Sequence, residues 1–283
     1  MNDSPAPLAA TLGRASALDP LFAADLGPLE ASWFPAARLH DSGAPELAEA
    51  LARSVVRYPR AERRVMGSFF ANQYAWYVPA AAVVAFLAES RVPDLAPQHV
   101  ALRFSGAAGG QAERIDARFL SGRFAVLPGD PAAVHLDAVV VPDADALRGW
   151  LRSGLESHLA PLVAAVARRT GLGARAQWCI AADALAALFL EAGRRLGDGA
   201  RGQAEGLALV RAAGSPLHNR GTGYVTVEAC GHCETFCARG GCCLFYRVEP
   251  GNNCATCALR PAAERDERLR AYLAQKHAEA VGA

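Results

Sequence analysis

The run GGCCLFYRVEPGNNCATC, from Gly240 to Cys257, constrains this chain more than any other stretch. It holds a tandem cysteine pair, ten intervening residues, a single cysteine, two residues and a last cysteine. Four thiolates so close in sequence suit a metal centre. Structural zinc is usually held by two C-x2-4-C knuckles, each folding two sulfurs toward one ion. Only Cys254 and Cys257 form such a knuckle here. Cys242 and Cys243 are neighbours, and neighbouring side chains diverge, most strongly in an extended chain. Diverging sulfurs serve a single tetrahedral ion badly, whereas a two-iron cluster spreads its thiolate positions over two metals. The spacing favours a [2Fe-2S] cluster, with zinc as the alternative. Gly240, Gly241, Gly251, Asn252 and Asn253 flank the cysteines, and such residues let a backbone turn close to a cluster and aim N–H groups at sulfur.

Composition sets the outer bounds. The chain has 283 residues, 52% of them hydrophobic and 20% charged, with net charge +1. That describes a globular protein with a substantial core, and the neutral balance gives no support for nucleic-acid binding. The opening residues Met1 to Leu8 lack the basic and apolar regions of an export signal. The run from Val78 to Ala88 reads as a buried helix, too short to span a membrane. Seven of the eight cysteines lie between Cys230 and Cys257, so they do not staple the whole chain. Such clustering points to metal or redox chemistry and to the cytoplasm.

Along the chain the pattern is α+β. Residues 1–40 read as one or two short helices. Asp41 or Ser42 is expected to cap a helix carrying Leu47, Leu51 and Val55 at four-residue spacing. A helix over Arg63–Tyr77 follows, with Phe69, Phe70, Tyr74, Trp76 and Tyr77 read as core, and Pro79 opens the next. From His99 the period becomes two. Strands are expected over Val100–Phe104, Ile115–Leu120, Arg123–Leu127 and Val134–Val141, with a turn at Ser105–Gly110, giving a small, mostly antiparallel sheet inserted between helices. Asp143 and Asp145 start a long helix to Gly171 that Pro161 should kink or divide. Further helices cover about Ala174–Leu196 and Gly202–Ala212. A turn cluster at Ala213–Gly223 leads into a strand at Tyr224–Val227, and from Pro261 an amphipathic helix places Leu269, Tyr272 and Leu273 on one face. The division expected is a mainly helical region with an inserted sheet, 1–213, and a cysteine-rich segment with a terminal helix, 214–283.

Other constellations compete for attention. Cys230-Gly-His-Cys233 matches a thiol-disulfide oxidoreductase motif, which works at a helix N-terminus inside a thioredoxin fold. Ala229 stands where Trp is usual, and too little chain follows for that fold. Cys230, Cys233 and Cys237 could instead bind zinc with His232 or hold a second cluster. Cys179 reads as a small hydrophobe within a helix. The other histidines, His40, His99, His135, His158, His218 and His277, form no metal-spaced pair. No phosphate-binding, dinucleotide or nucleophile-elbow motif is present, so electrons would come from a separate donor.

The spacing C-C-x10-C-x2-C, continued here by Leu244, Phe245, Tyr246 and Arg247, resembles the C-terminal segment of the ferric-siderophore reductases of the FhuF type (ferrioxamine B reductase). The resemblance is strongest over about the last fifth of the chain, with helical segments around Trp76 and Trp178 upstream. It implies that Cys242, Cys243, Cys254 and Cys257 ligate a [2Fe-2S] cluster. It further implies an oxidoreductase that reduces Fe(III) in hydroxamate-type siderophores, supplied by a ferredoxin-like protein or reductase, with residues 1–213 as the docking body. Hydroxamates are hard oxygen donors that suit Fe(III) and hold Fe(II) far more weakly, so one electron releases the metal. Phe245, Tyr246 and Arg247 are candidate contacts to the complex, or packing for the cysteine loop. Cys230, Cys233 and Cys237 lie outside the family pattern. A non-catalytic zinc- or iron-sulfur-binding scaffold or sensor is the competing reading. A siderophore-synthetase relative is a third, against which the short chain and missing ATP motif count.

Overall fold

The computed structural model describes residues 6–106, 114–249 and 251–281. Met1–Pro5 and residues 107–113, the latter including most of the turn expected at Ser105–Gly110, lie outside the described residues. Helix α1 (Pro7–Leu18) begins with proline in its first turn, where a missing N–H costs nothing. Strands β1 (Ala24–Leu26) and β2 (Phe34–Pro35) follow; they are too short to show a period in the sequence. Helix α2 (Pro45–Ser54) buries Leu47 and Leu51, with Val55 buried just beyond it. Its cap differs from expectation: Ala44 occupies the N-cap before Pro45, and Asp41 turns back to accept from the Gly43 N–H at 2.8 Å.

Helix α3 (Arg63–Tyr77) has the expected bounds, and Pro79 is the N-cap of α4 (Ala80–Glu89), which is buried almost throughout. Phe70 and Tyr74 are core residues, whereas Phe69, Trp76 and Tyr77 are only half-buried. Strands β3 (Arg91–Pro93), β4 (Val100–Ser105), β5 (Arg114–Phe119), β6 (Phe124–Val126) and β7 (Ala138–Val140) come next. They form two sheets where one was expected, in the orders β1-β5-β4-β2 and β3-β6-β7. The pair β4–β5 is antiparallel with Val100 opposite Phe119, while β1–β5 and β6–β7 are parallel. The expected strand at Val134–Val141 is realised only over β7, because Pro131–Val134 forms a short helical turn capped by Asp130.

Asp143 caps α5 (Ala144–Thr170), accepting from the Ala146 N–H, and Gly171 closes it in the left-handed region. Pro161 does not divide this helix, which runs unbroken across it. Helices α6 (Ala174–Arg195) and α7 (Gly199–Arg211) complete the body. By length and composition α6 is apolar enough to cross a membrane, which corrects the expectation that no stretch approaches the length of a span. Most of its apolar window is buried, as in a core helix. Helices α3 to α6 enclose a core in which Tyr74 and His158 meet, and Phe86 meets Phe189 edge-on at 6.2 Å.

Strands β8 (Gly223–Ala229) and β9 (His232–Ala238) make an antiparallel hairpin between α6 and α8 (Ala262–Val281). Val227 packs with Leu269 and Leu273 in a small second core, while Tyr272 stays exposed against Phe236. The second strand was not expected, since its hairpin turn is hidden in the cysteine motif Cys230–Cys233.

Candidate metal centre

The cysteine loop leaves β9 at Ala238 and is fixed by α6. Asp183, on α6 and only 2% exposed, accepts from the backbone N–H groups of Gly240 and Gly241, both at 2.8 Å, and from the Thr222 hydroxyl at 2.6 Å. Burial pushes the Asp183 carboxyl up, and these donors together with Arg239 oppose that push. Gly241 is required by contact: a Cβ there would lie 2.9 Å from the Cys179 carbonyl carbon and 3.0 Å from the Ile180 nitrogen. The two glycines therefore donate to a carboxylate, not to sulfur as their place in the sequence suggested.

Other elements hold the rest of the loop. The Ser68 hydroxyl of α3 donates to the Cys243 carbonyl at 2.6 Å. Phe245 packs with Tyr58 and Phe69, at ring-centroid distances of 5.8 and 6.2 Å, and Arg247 pairs with Glu62 at 2.9 Å. Both residues therefore anchor the loop, Arg247 from the exposed surface, and Tyr246 is left exposed with no such anchor. On the far side Arg260 donates to the carbonyls of Asn253 and Cys254 and pairs with Glu264 in the first turn of α8. That clamp ties the Cys254–Cys257 knuckle to the terminal helix.

The sulfurs sit among donors. Leu244 adopts φ 60°, the left-handed region, which costs a non-glycine residue ~1 kcal/mol or more. Around it, the Leu244 N–H bears on the Cys242 sulfur and the Phe245 N–H on that of Cys243. The Leu259 N–H reaches the Cys257 sulfur at 3.5 Å. Cys243 and Cys254 are in direct thiol contact. Their shared hydrogen bond lowers the Cys243 thiol, aided by Arg239, and raises that of Cys254. Burial raises Cys242, whose field also includes Cys243 and Cys257. The four cysteines of the tandem-and-knuckle motif are thus brought into one neighbourhood.

Arg239 completes it. Its guanidinium is 18% exposed and lies 3.7 Å from Asp183, beyond hydrogen-bond range. Its Nε and Nη2 are buried without a hydrogen-bond partner among the described residues. Burial works against its charge, but Cys243, Asp183, Cys254 and Cys237 outweigh that and hold it cationic. A buried cation with idle donors is costly unless an anion answers it. A net-negative [2Fe-2S] centre on thiolates, whose sulfurs accept hydrogen bonds, suits both the donor set and the two unbonded N–H positions of this guanidinium.

The remaining cysteines separate. Cys230 (φ 51°) and Gly231 (φ 75°) form the two-residue hairpin turn, for which positive φ at both positions is the favoured geometry. Cys230 and Cys233 are exposed at the hairpin tip, and no helix N-terminus adjoins them. The strand rise of about 3.4 Å per residue puts Cys233 ~14 Å from Cys237, so C-x2-C-x3-C cannot close on one ion. Cys237 lies against α6, where burial pushes its thiol up to about 12. His232 stacks on His277 of α8 at 3.5 Å. Cys179 is half-buried, with its thiol raised by burial. Among the described residues no three of His, Cys, Asp and Glu converge on a single ion-sized point.

Comparison with known families decides the relationship. Residues 68–210 match the family described as "Ferric iron reductase FhuF-like transporter", and residues 239–259 match the "FhuF 2Fe-2S C-terminal domain". The chain belongs to this ferric iron reductase family. The FhuF-type cofactor is a [2Fe-2S] cluster, and the activity class is that of an iron-sulfur oxidoreductase. The first match spans helices α3 to α7, so the likeness reaches far upstream of the cysteines. The second includes Arg239 and four cysteines, Cys242, Cys243, Cys254 and Cys257, and excludes Cys230, Cys233 and Cys237. No curated protein matches the chain. Asp183 and Arg260 escaped the reading of the sequence. Asp183 carries no local signal in an apolar helix beyond being a charge on its buried face.

Proposed function

We propose that this protein is a cytoplasmic ferric-siderophore reductase that releases iron from hydroxamate-type complexes by one-electron reduction. Its ligands would be Cys242, Cys243, Cys254 and Cys257. The observation that carries this reading is the neighbourhood just described: four sulfurs, three of them reached by backbone donors, beside a largely buried guanidinium whose Nε and Nη2 make no hydrogen bond among the described residues. When bound, the [2Fe-2S] group supplies a one-electron carrier whose potential follows local charge, hydrogen bonds and exposure. The chain supplies the rest. Leu244, Phe245 and Leu259 direct N–H groups at sulfur, Arg239 compensates charge, and Asp183 with Arg260 holds the two halves of the ligand loop. Eight free cysteines suit a reducing compartment. The electron is supplied by a separate ferredoxin-like protein or reductase.

The test mixes chemically reduced protein with a ferric hydroxamate under anaerobic conditions. One Fe(II) per reduced protein, trapped by a ferrous chelator, is expected in step with reoxidation. The iron-free siderophore should emerge unchanged, because the metal alone is reduced. Protein that stays reduced for hours beside several ferric hydroxamates, yet reoxidises with oxygen, would defeat the reading and leave a non-catalytic sensor or scaffold.

A further inference from the structure

We propose that the cavity of about 340 Å³ between α3, α6 and the cysteine loop is where the ferric hydroxamate docks; this rests on the reductase reading above. Three observations carry it. First, one face of α3 presents Asn72, Gln73, Trp76 and Tyr77 to the cavity, and opposite them stand Arg239 and Thr256. Thr256 lies inside the Cys254–Cys257 knuckle and Arg239 bears on the sulfurs, so the cavity shares its wall with the cysteine site. One-electron transfer falls steeply with distance, and a guest here would lie against Arg239 and Thr256, the two lining residues that adjoin the cysteine site.

Second, the chemistry of that face is that of a host. The side-chain amides of Asn72 and Gln73 make no hydrogen bond among the described residues, and the Trp76 and Tyr77 rings are only half-buried. Both amides are only half-buried, so their donors and acceptors stay open to a guest. Ferric tris-hydroxamate complexes are close to neutral, since three monoanionic chelating groups balance Fe(III), and their periphery consists of methylene chains and amides. Aromatic faces suit the methylenes and free amides suit the peripheral carbonyl and N–H groups. A complex of this size would fill the cavity and protrude from it, leaving the siderophore's outer chains in solvent.

Third, the other cavity near the loop is built differently. It measures about 370 Å³ and is lined by Tyr58, Arg60, Arg247 and Glu249. It offers one aromatic ring, Tyr58, where the α3 cavity offers Trp76 and Tyr77, it carries no side-chain amide, and Arg247 is already paired with Glu62.

The experiment measures binding of the gallium(III) complex of a linear tris-hydroxamate to oxidised holoprotein by calorimetry. Gallium(III) matches the charge and shape of the ferric complex and is not reduced. Trp76→Ala and Gln73→Leu should each weaken binding about tenfold or more. In the ferric reaction KM should rise while the midpoint potential and paramagnetic spectrum of the cluster stay as in the parent. Should Trp76→Ala lose the cluster, Trp76→Leu and Asn72→Leu carry the same test with smaller packing changes. Arg60→Ala, in the other cavity, should bind as the parent does. Parent-like binding by all the α3 variants, with normal ferric reduction, would overturn the docking site and leave the reductase reading standing. Loss of binding on Arg60→Ala instead would place the guest on the opposite side. No reaction of parent protein with any ferric hydroxamate would remove both readings.

Discussion

Replacing Arg239 by Gln takes one positive charge away from the cysteine site while keeping a hydrogen-bonding side chain of related shape. The guanidinium is mostly buried and bears on Cys243 and Cys254, so it interacts with the electron that reduction adds. At a separation of ~6 Å and an effective dielectric of ~20, one charge acting on that electron is worth ~3 kcal/mol. A one-electron couple shifts by 59 mV per factor of ten, which makes this ~120 mV. Delocalisation of both charges and water entering the vacated space reduce the shift to about half, ~60 mV. The sign is fixed, because a cation favours the more negative, reduced state. Arg239→Gln should lower the midpoint potential and Arg239→Lys should largely restore it. The assay is an anaerobic redox titration followed by absorbance and paramagnetic resonance. The variant should be harder for its donor to reduce, yet a stronger reductant once reduced. A change of less than ~20 mV in a variant with full cluster content would refute the electrostatic argument.

Further perturbations test the remaining parts of the site and fold. Ser at Cys242, Cys243, Cys254 or Cys257 should remove or badly destabilise the cluster, measured as iron and sulfide per chain, whereas Ser at Cys179, Cys230 or Cys233 should leave it in place. Asp183→Asn leaves two buried N–H groups competing for one acceptor and should cost ~2–4 kcal/mol in denaturant unfolding, with lowered cluster content. His158 is wholly buried, with Nδ1 bonded to the Leu95 carbonyl at 2.6 Å and Nε2 to the Tyr74 hydroxyl at 2.6 Å, and burial lowers its pKa from 6.5 to about 4. It folds neutral, so the unfolded chain binds the extra proton. Stability should therefore fall as pH drops from 6.5 toward 4, by ~3 kcal/mol, and His158→Gln should flatten that slope in chemical denaturation. Leu273→Ala in α8 should cost ~2–4 kcal/mol and expose the Cys254–Cys257 knuckle, seen as faster cluster loss to a chelator.

Much of the fold was legible because local rules sufficed. The period of β5 alternates cleanly in burial, with Ile115, Ala117 and Phe119 inward, and Asp143 and Gly171 mark the ends of α5 as capping chemistry demands. Where reading failed, a longer-range fact had overruled a local one. Pro45 displaced the cap expected at Asp41 or Ser42. Strands of two or three residues acquired their identity only from neighbours, as β1 did by lying parallel to β5. The hairpin turn at Cys230–Gly231 was read as possible metal or redox chemistry, since cysteine in the left-handed region has no distinct sequence mark.

The sequence alone determined the ligand chemistry proposed here, because the number, type and spacing of thiolates are covalent properties of one short segment. It also determined the helical content of the body, through periodicity and capping. Tertiary structure decided what surrounds the sulfurs. Asp183 lies 57 residues before Gly240 along the chain and Ser68 lies 175 before Cys243, and nothing local announces either partner. The setting of Arg239 is likewise nonlocal. An arginine beside two glycines is ordinary as sequence and becomes a largely buried charge with unbonded N–H groups only when α6, β9 and the knuckle close around it. Ligand identity is carried by bonds along the chain, but charge, burial and access are properties of distance through space, which packing alone sets.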